Sequence, residues 1–88
     1  MDFEKLNEAL GENTISYSKI AMYQVNNIMK FVEITLQIDK SSLDYYYEID
    51  VDELLNSNMP IDELETLKKQ GWAFNEDKKK LILFLRNS

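Results

Sequence analysis

The run Leu81-Ile82-Leu83-Phe84-Leu85 is the feature that most narrows what this chain can fold into. Successive side chains of a strand point to opposite faces. Leu81, Leu83 and Leu85 therefore share one face, and Ile82 and Phe84 share the other. A strand that is apolar on both faces belongs at the centre of a sheet or under cover on both sides. It is also the longest unbroken apolar run in the chain. A membrane-spanning helix takes about 20 such residues, so this run predicts no span.

A second strand pattern covers Asp44 to Val51. Tyr45, Tyr47, Ile49 and Val51 fall on one face, and Asp44, Tyr46, Glu48 and Asp50 on the other, giving an apolar side and an acidic side. Lys40-Ser41-Ser42 precedes it as a turn. A third pattern runs over 30–38, where Val32, Ile34, Leu36 and Ile38 alternate with Glu33, Thr35 and Gln37. The tail forms a hairpin, with Gly71 to Phe74 as one strand, Asn75 to Lys79 as the loop and Lys80 to Arg86 as the other.

The stretch from Thr14 to Asp39 admits two readings. In one it is a hairpin turning at Asn26-Asn27, because asparagine tolerates the left-handed dihedrals of a two-residue turn. That register sets Val25 opposite Ile28, Ala21 opposite Val32 and Met22 opposite Phe31. In the other, Ser16 caps a helix over 17–28 whose stripe is Tyr17, Ile20, Ala21, Val25 and Ile28. The hairpin is the reading carried forward.

Helices are signalled elsewhere. Phe3, Leu6 and Leu10 recur at helical spacing, Asp2 suits the N-cap, and Gly11 suits the position after the last turn. A short helix starts at Asp50 or Val51 and runs to about Asn56. Another begins near Pro60, with Asp62 and Glu63 in its first turn and Lys68 and Lys69 in its last, matching the helix dipole. Gly71 then ends it, with Trp72 packing back on Leu67. The order is α-β-β-β-α-α-β-β. This is an α+β chain, one compact domain over residues 1–88, with a mostly antiparallel sheet of about five strands and short helices packed on it.

Charge and chemistry bound the function. The net charge is −6, but residues 1–67 hold 14 acids against 4 bases, whereas 68–88 hold 2 acids against 6 bases. From Asp44 to Glu65 there are eight acids and no base. Displacing phosphate counterions needs positive charge, so direct nucleic-acid binding is not expected. A basic protein surface is the easier partner. Histidine and cysteine are absent, which removes the usual general base, nucleophile and transition-metal ligands. Two glycines cannot build a phosphate loop. No enzymatic activity, cofactor or metal is expected. Asp50-x-Asp52-Glu53 lacks the glycine and ligand spacing of a calcium loop and reads as an acidic helix N-terminus. Lys78-Lys79-Lys80 reads as a solvated hairpin tip. The absence of cysteine and of an amino-terminal leader predicts a cytoplasmic protein.

These features converge on a surface rather than a catalytic site. The expected interaction surface comprises an apolar pair, Met22 and Phe31, and a rim of Asp44, Tyr46, Glu48, Asp50, Asp52 and Glu53, with Tyr46 as the exposed anchor. The expected role is a small protein-interaction or regulatory module that binds a larger protein with a basic surface. A sharper form is an inhibitor that mimics nucleic acid. The alternative is a structural homo-oligomer, built through the Met22 and Phe31 face or through an unpaired edge strand. Small size, a lysine-rich composition and the Leu67-Lys68-Lys69-Gln70-Gly71-Trp72 helix stop resemble accessory proteins of phages or other mobile elements. No functional residue is implied by that likeness.

Overall fold

The computed structural model describes residues 1–15, 17–18 and 22–85. Along these the order is α1 (Phe3–Leu10), β1 (Tyr17–Ser18), α2 (Met22–Met29), β2 (Thr35–Ile38), β3 (Tyr45–Asp50), α3 (Val51–Asn56), α4 (Glu63–Gln70), β4 (Ala73–Phe74) and β5 (Lys80–Leu85).

β5, the doubly apolar strand, occupies the sheet's centre. β3 pairs antiparallel along one side of it, from Asp50↔Lys80 to Tyr46↔Phe84. Its other side is shared end to end. β4 pairs antiparallel at Ala73↔Ile82 and Phe74↔Leu81, and β1 pairs parallel at Tyr17↔Phe84 and Ser18↔Leu85. β2 pairs antiparallel with β3 and forms the other edge. The α+β class stands, with a four-stranded antiparallel sheet, β2-β3-β5-β4, and short helices. The fifth segment, β1, is a two-residue parallel addition.

One face of the sheet makes the core. Leu81 and Leu83 of β5 and Tyr47 and Ile49 of β3 are buried there with Leu6 and Leu10 of α1, Val25 and Ile28 of α2, Leu54 of α3 and Leu64 and Leu67 of α4. Fully burying a side chain of this size contributes about 1.5–3 kcal/mol, so this face carries most of the stability. No charged residue is buried among the described residues.

The hairpin expected across Asn26-Asn27 is replaced by helix α2. Val25 and Ile28, three apart, are both fully buried, while Asn26 and Asn27 face solvent. The spacing that set these two residues opposite one another in a hairpin also places them on one helix stripe. The helix also shortens the strand expected over 30–38. The Ile28 carbonyl accepts the N–H groups of both Phe31 and Val32, so the chain is still turning there and β2 begins only at Thr35. The proposed cap at Ser16 lies outside the described residues, as do Ile20 and Ala21 of the helical stripe. The observed order is therefore α-β-α-β-β-α-α-β-β.

Local capping explains most helix ends. Asp2 accepts the N–H of Lys5 at 2.9 Å and starts α1. Gly11 ends it in a right-handed conformation, φ −63°, rather than the left-handed one expected. A Cβ at Gly11 would collide with the Asn7 carbonyl, so close approach rather than positive φ calls for glycine there. α4 starts three residues after Pro60, once tight turns from the Pro60 and Ile61 carbonyls to Glu63 and Leu64 have formed. Its end follows the expectation. Gly71 is left-handed at φ 96°, its N–H reaches Lys68 O, and the Trp72 N–H reaches Leu67 O at 3.2 Å. Trp72 and Leu67 are fully buried in the same core.

Side chains from distant segments lock this corner. Asn13 donates to the carbonyls of Trp72 at 2.8 Å and Lys68 at 3.3 Å. Trp72 Nε1 donates to Gln70 Oε1 at 2.9 Å, and Gln70 Nε2 donates to the Gln24 carbonyl at 2.8 Å, tying α4 to α2. Among the described residues no helix is long and apolar enough to cross a membrane.

Candidate functional site

The second face of the sheet is where the acidic and aromatic residues meet. Directly opposed residues of paired strands share a face. The register therefore lays Tyr17 of β1, Phe84 of β5, Tyr46 of β3 and Gln37 of β2 in one row across the sheet. The rings touch along it. Tyr17 and Phe84 have centroids 5.6 Å apart, and Tyr46 and Phe84 5.1 Å apart, both tilted. Such pairs add about 0.5–1.5 kcal/mol beyond the area they bury. The next row toward the start of β5 holds Ala73, Ile82, Glu48 and Thr35, and beyond it Asp50 faces Lys80.

Polar contacts fix the rim. The Tyr17 hydroxyl donates to Asp44 Oδ2 at 2.6 Å. That bond to a carboxylate, with the neighbouring negative charges, raises the Tyr17 phenol above its ordinary pKa. Asp50 serves two partners. Its Oδ1 accepts the Glu53 N–H at 3.1 Å and caps α3, and its Oδ2 accepts Lys80 Nζ at 2.9 Å. The Lys80 ammonium, and next the Glu53 N–H, hold the Asp50 carboxyl below the usual range, and Asp50 in turn raises Lys80. Glu53 reaches across from α3 to accept the Glu33 N–H at 3.0 Å, binding the entrance of β2 to the first turn of α3. Glu33, Thr35, Gln37, Glu48, Asp50, Glu53 and Lys80 line a shallow concavity of about 260 Å³ beside the aromatic row. Four acids and one lysine give it a net negative charge.

The residues expected from sequence separate into two groups. Asp44, Tyr46, Glu48 and Asp50 alternate onto this face as expected, and Glu53 joins them through Glu33. Asp52 sits exposed in the first turn of α3. Phe31 does not belong here. It follows the last turn of α2 and packs, partly buried, against the core. Met22 opens α2, and its side chain lies outside the described residues. Tyr46 is not a free ring either. Phe84 half-buries it, while Tyr45, expected to point inward to the core, is the exposed tyrosine of this strand.

Three contributors were missed: Tyr17, Phe84 and Lys80. The double apolar pattern of the last strand already marked Ile82 and Phe84 as belonging to a second face. Nothing local marks Tyr17, whose place depends on a parallel pairing to Phe84, 67 positions further on. Of the three lysines at the hairpin tip, Lys80 pairs with Asp50, and Lys78 lies 5.9 Å from the Phe74 ring centroid and bonds Asn7 Oδ1.

A second concavity, about 490 Å³ and open, lies between α1 and α4 along Lys5, Glu8, Ile61, Asp62 and Glu65. It carries acids but no ring. Comparison with known proteins returns no match, whether to a protein family, a curated protein or a solved structure.

Proposed function

We propose that this chain is a small protein-interaction module that holds a larger protein through the outer face of its sheet, without catalytic chemistry of its own. The observation that carries this reading is the row Tyr17–Phe84–Tyr46, half-open to solvent and rimmed by Asp44, Glu48 and Asp50. Aromatic side chains at the middle with polar groups at the rim are the arrangement of protein interfaces. The partner is a protein whose surface is basic at its rim and apolar at its middle. The acids speed and orient the encounter, and the rings supply the lasting contact.

The pairing of Asp50 with Lys80 offsets part of the charge of this face, and Tyr17 already engages Asp44. That favours a mixed apolar and acidic contact over full nucleic-acid mimicry. The two differ in salt dependence, since exposed charge pairs are screened within about 10 Å at 0.1 M salt whereas apolar contact is not.

The test is capture from cell extract on immobilised wild-type protein and Tyr46→Ala in parallel, followed by titration of the retained partner in rising salt. Tyr46→Ala is expected to weaken binding by about 30-fold, the effect of a 2 kcal/mol aromatic contact, while unfolding remains cooperative. Equal affinity of the two baits overturns the proposal. Loss of all binding by moderate salt, with competition by DNA, points to the mimic instead.

A further inference from the structure

We propose that two copies of this chain associate edge to edge through β2, around a two-fold axis at Gln37, so that the sheet continues from one copy into the other. The partner is a second copy of this chain. The inference goes beyond the outer-face reading, and either can fail without the other.

The backbone supplies the first argument. Among the described residues β2 has β3 on one side and no strand on the other. In an antiparallel pair the residues alternate between hydrogen-bonded and non-hydrogen-bonded positions. Asp39 N–H donates to Asp44 O at 2.8 Å, which makes 39·44 a bonded pair and, by register, 37·46 and 35·48 as well. The other side of β3 agrees. Val51 N–H donates to Lys79 O at 2.9 Å, so the odd residues of β3 turn toward β5 and the even ones toward β2. Leu36 and Ile38 therefore turn their N–H and C=O groups outward, to the open edge. An unpaired row of this kind is a template for another strand.

The side chains supply the second. Leu36 is 52% exposed and Ile38 44% exposed, although both lie on the core face of the sheet. Tyr45, opposite Ile38, is 44% exposed beside them. Natural edges are guarded by lysine, proline, bulges or inward charges. From Ile34 to Ile38 this edge has none of these.

Charge permits a second copy at this edge, and the register favours it. A second copy carries the same −6 and is repelled by most of this surface, but Ile34 to Ile38 holds no charge at all. The strand is also self-complementary. With Gln37 facing its own copy, Leu36 meets Ile38 of the partner on the core face, both in bonded positions, and no like charges oppose one another across the edge.

The third argument is continuity. Gln37 is the last member of the row Tyr17–Phe84–Tyr46–Gln37. A two-fold axis there joins two rows end to end into one strip of eight strands. At about 4.8 Å per strand that strip is roughly 34 Å long, with the acidic concavities repeated on either side of the axis.

The chain has no cysteine, so single cysteines report the geometry cleanly. At the axis the two Gln37 positions form a non-hydrogen-bonded pair about 4.5 Å apart at Cα, within disulfide reach. Gln37→Cys under mild oxidation is expected to yield a covalent dimer. Thr35→Cys, whose copies lie roughly 14 Å apart along the strand, is expected to form no covalent dimer on the same timescale. Light scattering of the unmodified 88-residue chain should show twice the 10.4 kDa monomer mass, reduced to one monomer by Leu36→Lys. A monomer at every concentration overturns the proposal and leaves the edge to a strand of some other protein. A dimer unaffected by Leu36→Lys, or equal cross-linking at 35 and 37, overturns this interface.

Discussion

The two faces of one strand pair show how the molecule divides its work. On the core face Leu81, Leu83, Tyr47 and Ile49 are buried against helices. On the outer face Ile82, Phe84 and Tyr46 are only half-buried, and they lean on one another and on a polar frame of Tyr17–Asp44, Asp50–Lys80 and Glu53–Glu33. The first face is stabilised by removing apolar area from water. The second keeps apolar area available and holds its shape with hydrogen bonds. Aromatic content alone does not separate a core from a binding surface; what stands over the rings does.

Five substitutions probe that contrast. Leu83→Ala should have the largest effect, about 2–5 kcal/mol of lost stability in urea unfolding, because it leaves a cavity in a filled core. Phe84→Ala, one residue along on the same strand, should cost about 1–2 kcal/mol, since its ring is only half-covered. If the two cost the same, the outer face is a second core and the division drawn above fails.

Asp50→Ala removes the N-cap of α3 and should cost about 1 kcal/mol. Its larger signature is in pH. The Asp50 pKa is lowered by folding, so its contribution is full above the ordinary carboxylate value of 3.8 and is lost as pH falls through the lower folded value. Lys80 is raised, so its contribution holds below 10.5 and is lost as pH rises through the higher folded value. Stability of the wild type, followed by urea midpoint, should fall at both extremes more steeply than that of Asp50→Ala. Parallel curves would show that the pair contributes nothing measurable.

The smallest effect is expected from Tyr17→Phe, which keeps the ring against Phe84 and removes only the bond to Asp44. Its midpoint should barely move at neutral pH. In the wild type the Tyr17 phenol, raised by that bond, should ionise at higher pH than in Asp44→Asn, as ultraviolet titration can follow. Its contribution is present below the ordinary tyrosine value and lost as pH rises past the folded one.

How much was legible depended on whether a signal was local. β3, β5, α1, α3 and the end of α4 follow from period, caps and one glycine, all within a few residues of one another. The acidic alternation Asp44, Tyr46, Glu48, Asp50 was readable for the same reason. α2 was misread because Val25 and Ile28 satisfy a hairpin and a helix equally. What decides between them is burial in a core shared with residues far away in sequence, Leu6 and Leu67 among them. The aromatic row was only partly visible. Strand pattern set Tyr46 on an acidic outer face and Phe84 on the second apolar face of the last strand, but their adjacency depends on which strands pair.

The central position of β5 also sets the order in which the fold can be completed. β2 and β3 are neighbours in sequence and can meet early, but β3 gains its second partner only when residues 80–85 arrive, and Tyr17 waits for Phe84. Closing such distant pairs is slow because loop entropy is lost before contacts repay it. Until then the β2–β3 hairpin presents two open edges and an uncovered Tyr47 and Ile49. The refolding chain is therefore most prone to join its neighbours before its last strand is in place, and dilution or a brief delay in crowding should raise the yield of correctly closed molecules.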